Sequence, residues 1–100
     1  MRALAVAPRM DCRVVVCQMR PRLGVLDPNF DAHHAWMDRA ATENADLAVF
    51  PELSLAGYFL RDHTPDVALR LDDPRVSKLV ARSKERSLLF GLVEESEAHR

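Results

Sequence analysis

A proline fixes the reading of this chain. Leu47-Ala48-Val49-Phe50 is a short apolar segment that stops at Pro51 and is followed at once by Glu52. Proline cannot donate to a central ladder, so a strand must finish there. Acidic side chains are rarely buried without a partner. Glu52, set between Phe50-Pro51 and Leu53-Ser54-Leu55, is therefore either bound to something specific or poised to exchange a proton.

The flanking sequence supplies a sheet for that strand. Val14 to Met19 is a near-continuous β-branched and apolar run, the pattern of a strand covered on both faces. Pro21 and Gly24 break it. Asp27-Pro28-Asn29 then signals a helix start, with Asp31 suited to the first turn. Phe30, His33 or His34, Trp36 or Met37, Ala40, Ala41 and Asn44 recur at three- and four-residue spacing, which predicts one amphipathic helix over 29–44. Asp73-Pro74 is an N-cap followed by proline at the first helical position, so a second helix is expected over 74–86. Val76, Leu79, Val80 and Ser83 share its apolar face. A third strand is expected over Leu88 to Val93. Between Pro51 and Asp72 the connection is long, a length that is usually functional or disordered, with a turn of helix expected within Pro65 to Leu71.

The order β-α-β-α-β predicts an α/β (α+β) fold, a sheet with helices packed on it. Two of its three strands would lie at or near an edge. Residues 1–11 are expected to be a disordered leader, because the apolar stretch Leu4 to Ala7 is too short for a signal peptide.

Composition narrows the function classes. One hundred residues make a single small domain, and a net charge of −1 gives no field that would draw nucleic acid or anionic lipid. No apolar run approaches membrane-spanning length. Cys12 and Cys17 are an odd number of residues apart on one expected strand, hence on opposite faces, and two cysteines are no disulfide framework. The chain reads as cytoplasmic, with reduced thiols.

Phe50-Pro51-Glu52-Leu53-Ser54-Leu55-Ala56-Gly57-Tyr58 resembles the first signature of the nitrilase superfamily, the carbon–nitrogen hydrolases. Val14 to Met19 looks like that family's first strand with its glutamine, Gln18, and Asn44-Ala45-Asp46 like the entry to the next. The resemblance runs from about Arg13 to Val93. It implies the N-terminal part of an α-β-β-α sandwich, with residues 12–100 cut short of the remainder. It also implies a hydrolase acting on amide, nitrile or carbamoyl carbon–nitrogen bonds through a Glu, Lys and Cys triad, without a cofactor or metal. A small-molecule amide or nitrile substrate and a homo-oligomer when full length follow from the same resemblance.

Such chemistry needs a nucleophile, a base and a positive group at the developing anion. Glu52, at a strand's C-terminal end where α/β sheets place their crevices, takes the base role by resemblance. Its structural alternative is a carboxylate capping the following loop or paired with a nearby arginine. Tyr58 is a candidate substrate-binding residue, with packing across the loop as its alternative. Gly57 supplies a backbone angle that a Cβ would forbid. The motifs for the lysine and cysteine do not occur. Lys78 and Lys84 fit a solvated helix face, and Cys17 a small buried core residue. His33, His34 and Asp38 lack further metal ligands, and a half-exposed helix face accounts for them.

Two readings follow. The chain is the Glu-bearing part of a carbon–nitrogen hydrolase, inactive alone, or a non-catalytic remnant or subunit that associates through its sheet edge. Within the first, Gly57 to Asp62 resembles the glutaminase domain of NAD synthetases.

Overall fold

The computed structural model describes residues 11–57 and 68–95. The elements run β1 (Val14–Val16), α1 (Leu26–Thr42), β2 (Leu47–Val49), β3 (Ala68–Leu69), α2 (Pro74–Ala81), a 3-10 turn (Arg82–Lys84), β4 (Ser87–Leu89) and β5 (Val93–Glu94). β1, β2 and β4 form one parallel sheet with β2 in the centre. The expected sandwich part is therefore present as an α/β unit, with β1 and β4 as the two edges.

Register decides what each residue faces. Val15, Ala48 and Leu88 stand side by side across the sheet. They point into a core of Cys17, Met37, Ala40, Ala45, Ala48 and Phe50. Their neighbours along each strand point the other way, and there the expectation of a doubly covered strand fails. Val14 is 44% exposed, Val16 63% and Leu89 61%. A β-branched run shows that a residue suits a pleated surface, not that something lies over it.

α1 begins three residues earlier than the sequence suggests. Val25 flanks it with an extended backbone and no side-chain cap, and Asp27 sits in its first turn. Pro28 then falls where the helix has no partner for a backbone N–H anyway. The far end closes more tightly. Asn44 takes a left-handed φ of 54°, its N–H donates to Ala41 O at 3.1 Å, and the Ala45 N–H donates to Ala40 O at 3.0 Å. That is a Schellman closure with asparagine in glycine's usual place. Arg86 Nη1 also donates to Ala40 O in the last turn of the helix and to Ala45 O just beyond it.

α2 starts as its sequence requires, with the Asp73 side chain accepting from Arg75 N at 2.8 Å and proline at the first position. Val76 and Leu79 are buried, whereas Val80 is exposed. The helix gives way to the 3-10 turn at Arg82. There Arg82 Nη1 donates to His34 O and Nη2 to Asp38, tying α2 to α1. Phe30, Leu55, Leu69, Val76 and Leu79 form a second core beneath the two helices.

The turn of helix expected within Pro65 to Leu71 is not what residues 68–69 form. They pair in parallel with β5, and Glu95 N–H extends the pairing to Leu69 O. The expected strand 88–93 is split between two sheets, because Phe90 to Leu92 leaves the first sheet to cross the turn after β2. No helix among the described residues is long and apolar enough to cross a membrane. Residues 1–10, and hence most of the expected leader, lie outside the described residues.

Candidate active site

The site forms where β2 ends. Phe50 N–H still donates to Leu89 O at 2.9 Å, but Pro51 offers no donor and pairing stops. The chain then reverses through Glu52 to Ala56. Leu53 turns with a φ of +48°, and its carbonyl accepts from both Ala56 N and Gly57 N. A left-handed leucine costs roughly 1–2 kcal/mol relative to a right-handed one. Such strain persists only where the surroundings over-determine it.

Here they do. Leu55 N–H donates to Gly91 O at 3.2 Å, Ala56 O accepts from Gly24 N at 3.0 Å, and Leu55 O accepts from Asn29 Nδ2 at 2.9 Å. Asn29 is itself held by Arg22 through its N–H and carbonyl. Ser54 is fully buried, with its hydroxyl 2.7 Å from His33 Nε2. Gly57 has a φ of +93°, as its position in the sequence predicts, and a Cβ there would lie 3.1 Å from Leu23 Cα.

The Glu52 side chain contrasts with this anchored backbone. It is exposed, at the lip of an open cleft of about 380 Å3. Phe50, Pro51, Leu53, Leu89 and Phe90 give the cleft apolar walls. Among the described residues no arginine or lysine pairs with Glu52, so the ion-pair alternative finds no partner there. The carboxylate is thus placed at a cleft mouth rather than wedged in the core.

The other candidates separate from it. Tyr58 lies outside the described residues. Cys17 is 1% exposed, its thiol lies 4.0 Å from Val15 O, and burial pushes its pKa up. A thiol held in that state is a poor nucleophile. Lys78 and Lys84 are exposed, as a solvated helix face requires. His34 is half-buried and Asp38 exposed, but the half-exposed face expected for all three does not hold for His33. That residue has no exposed surface.

His33 is the feature that sequence reasoning missed. Its ring stacks on Phe50 with centroids 4.3 Å apart and meets Phe90 edge-on. Nδ1 lies 2.6 Å from Asn29 O. A carbonyl only accepts, so Nδ1 carries a proton; in the neutral ring that burial favours, Nε2 then accepts from the Ser54 hydroxyl. Burial lowers the imidazole pKa, with the Asn29 carbonyl pulling the other way. A signal was present: Asn29, His33, Met37 and Ala40 step by four, four and three along one stripe.

The carbon–nitrogen hydrolase family profile matches residues 13–98. The glutamine-dependent NAD(+) synthetase of Acinetobacter baylyi is 32% identical over 89 residues, covering 85% of this chain and 16% of that protein. The structure of glutamine-dependent NAD+ synthetase from Acinetobacter baumannii in complex with adenosine diphosphate superposes with a TM-score of 0.67 at 30% identity. It covers 87% of this chain, which spans 16% of that one. By its sequence and by its fold, the chain belongs to the carbon–nitrogen hydrolase family.

Proposed function

We propose that Glu52 is the general base of a carbon–nitrogen hydrolase of which this chain forms one part. The observation that carries the reading is the contrast at the cleft. Every polar backbone contact of the turn is directed at holding it still, while the one acid it presents is left without a partner among the described residues. A carboxylate so placed can accept a proton from a thiol as that thiol attacks an amide carbon. It then gives that proton to the departing amine and, ionised again, takes one from the water that releases the acyl group. The nucleophilic cysteine and the lysine that would face the developing oxyanion are not among Cys12, Cys17, Lys78 and Lys84. They would come from residues outside this chain. Tyr58, the next residue of the motif, is the candidate substrate contact by resemblance alone.

The similarity to two glutamine-dependent synthetases favours the side-chain amide of glutamine as the substrate, with ammonia and glutamate as products. The competing reading, a non-catalytic subunit, has the exposed Val14, Val16 and Leu89 in its favour. The test is ammonia release from glutamine by the gene product that contains these residues, with and without Glu52→Gln. Loss of a general base costs about 10²- to 10⁴-fold. Full turnover in Glu52→Gln would remove Glu52 from the chemistry. The 100-residue chain alone is expected to show no thiol-dependent amidase activity.

A further inference from the structure

Two elements distant in sequence converge on the turn that carries Glu52. From α1, Asn29 and His33, one helical turn apart, reach consecutive residues of the turn: Leu55 O and the Ser54 hydroxyl. From the far side, Gly91 O accepts from Leu55 N at 3.2 Å and Gly91 N–H approaches Ser54 Oγ at 3.4 Å. Gly91 comes so close that a Cβ on it would lie 2.5 Å from Leu53 N and 3.1 Å from Leu53 Cα. No side chain fits there without moving the backbone next to Glu52.

A buried imidazole is a costly way to fill space against Phe50, because its polar atoms must each find a partner. A phenylalanine would stack there without that demand. What the imidazole adds is direction. With Nδ1–H committed to Asn29 O, Nε2 of the neutral ring can only accept, so the Ser54 hydroxyl donates toward α1. Its lone pairs are then left for Gly91 N–H. The orientation of one ring is passed to the hydroxyl two residues from the acid and on to the neighbouring strand connection.

We propose that His33 and Ser54 are positioning residues for Glu52, acting together with the side-chain-free backbone of Gly91 to hold the left-handed Leu53 turn that sets the carboxylate at the cleft. The role assigned to Glu52 rests on the function proposed above. The clamp itself is legible without it.

The test uses the gene product containing these residues and the variants Ser54→Ala, His33→Phe, their combination, and Gly91→Ala. Two readouts are taken: amide hydrogen exchange at Leu55 and Gly57, and kcat and KM for ammonia release from glutamine. Ser54→Ala is expected to speed exchange at Leu55 and Gly57 about tenfold or more, with the β1–β2 ladder unchanged. It should lower kcat by a factor of roughly 10 to 100 with little change in KM, since a misplacement near 1 Å can cost that much. His33→Phe should do the same, and the double variant should lose no more than either single one, because both break one path. Gly91→Ala should give the largest loss. Unchanged exchange in Ser54→Ala, or losses that multiply in the double variant, would overturn the clamp. If Glu52→Gln kept full activity while Ser54→Ala still loosened the turn, the base assignment would fall and the clamp would stand. If Glu52→Gln were dead and Ser54→Ala had normal kcat, the reverse would hold.

Discussion

An acid flanks β2 on each side, Asp46 before it and Glu52 after it, and their side chains are held in opposite ways. At its start, Asp46 serves the sheet: its carboxylate accepts from Arg13 N at 2.9 Å, its N–H donates to Arg13 O, and its carbonyl accepts from Ser87 N. Side chain and backbone together join all three strands. At the other end, Glu52 leaves its carboxylate at an open cleft, and the backbone around it is secured by Asn29, Ser54, Gly24 and Gly91. A residue spent on structure has its polar atoms occupied. Glu52, on the base role proposed above, needs the same rigidity, but from its neighbours.

The contrast can be broken in several ways. The largest effect should come from Glu52→Asp in the gene product. The charge is kept, but the carboxyl retreats by one methylene, and turnover should fall about 100-fold with melting unchanged. Normal turnover would mean that the position of the acid is unimportant. Asp46→Ala should behave conversely, lowering unfolding free energy in urea by about 1 kcal/mol while leaving turnover per folded molecule intact.

A third effect concerns acid. Folding keeps His33 neutral below its ordinary value near 6.5, so the unfolded chain binds a proton that the folded one refuses. Stability is therefore full above that value and declines as pH falls through 6.5 toward the lower folded value. His34 is shifted the same way, by burial first and then by Arg82 and Lys78, and contributes with the same sign. Melting temperature should drop between pH 7 and about 5, and His33→Phe should remove part of that slope but not all of it. A slope unaltered in His33→Phe would show that the ring is not buried as a neutral base. The smallest effect is local to the helix end. Asn44→Ala should cost about 1 kcal/mol because of the left-handed backbone there, whereas Asn44→Gly should be nearly neutral.

How much of this was readable beforehand differs by element. Pro51 and Asp73-Pro74 act through covalent constraints of the proline ring, so the end of β2 and the start of α2 were plain from sequence. The bounds of α1 were less so. Its start has no side-chain cap, and Asn44 closes the helix from outside it instead of ending its apolar stripe. β3 could not be seen, since two residues carry no period. The bare face of Val14, Val16 and Leu89 was hidden because composition reports what a strand suits and not what covers it. At the site, the placement of Glu52 just past the strand end and the left-handed Gly57 were legible from the motif. His33 was legible only in part: the stripe of Asn29, His33, Met37 and Ala40 includes it, but the spacing also allowed His34 to face inward, and the placement of Ser54 and Phe50 decides between them. Gly91 announces itself only through a contact with residues 38 and 39 positions earlier in the chain.

One measurement bears on the central contrast most directly: thermal unfolding of Glu52→Gln beside that of Asp46→Asn, at neutral pH and low salt. The Glu52 variant should melt within about a degree of the parent, since its carboxylate holds nothing in place, while the Asp46 variant melts several degrees lower. A Glu52→Gln protein that unfolds as early as Asp46→Asn would show that the carboxylate at the cleft is a structural tie, and the assignment of a free base at that position would be wrong.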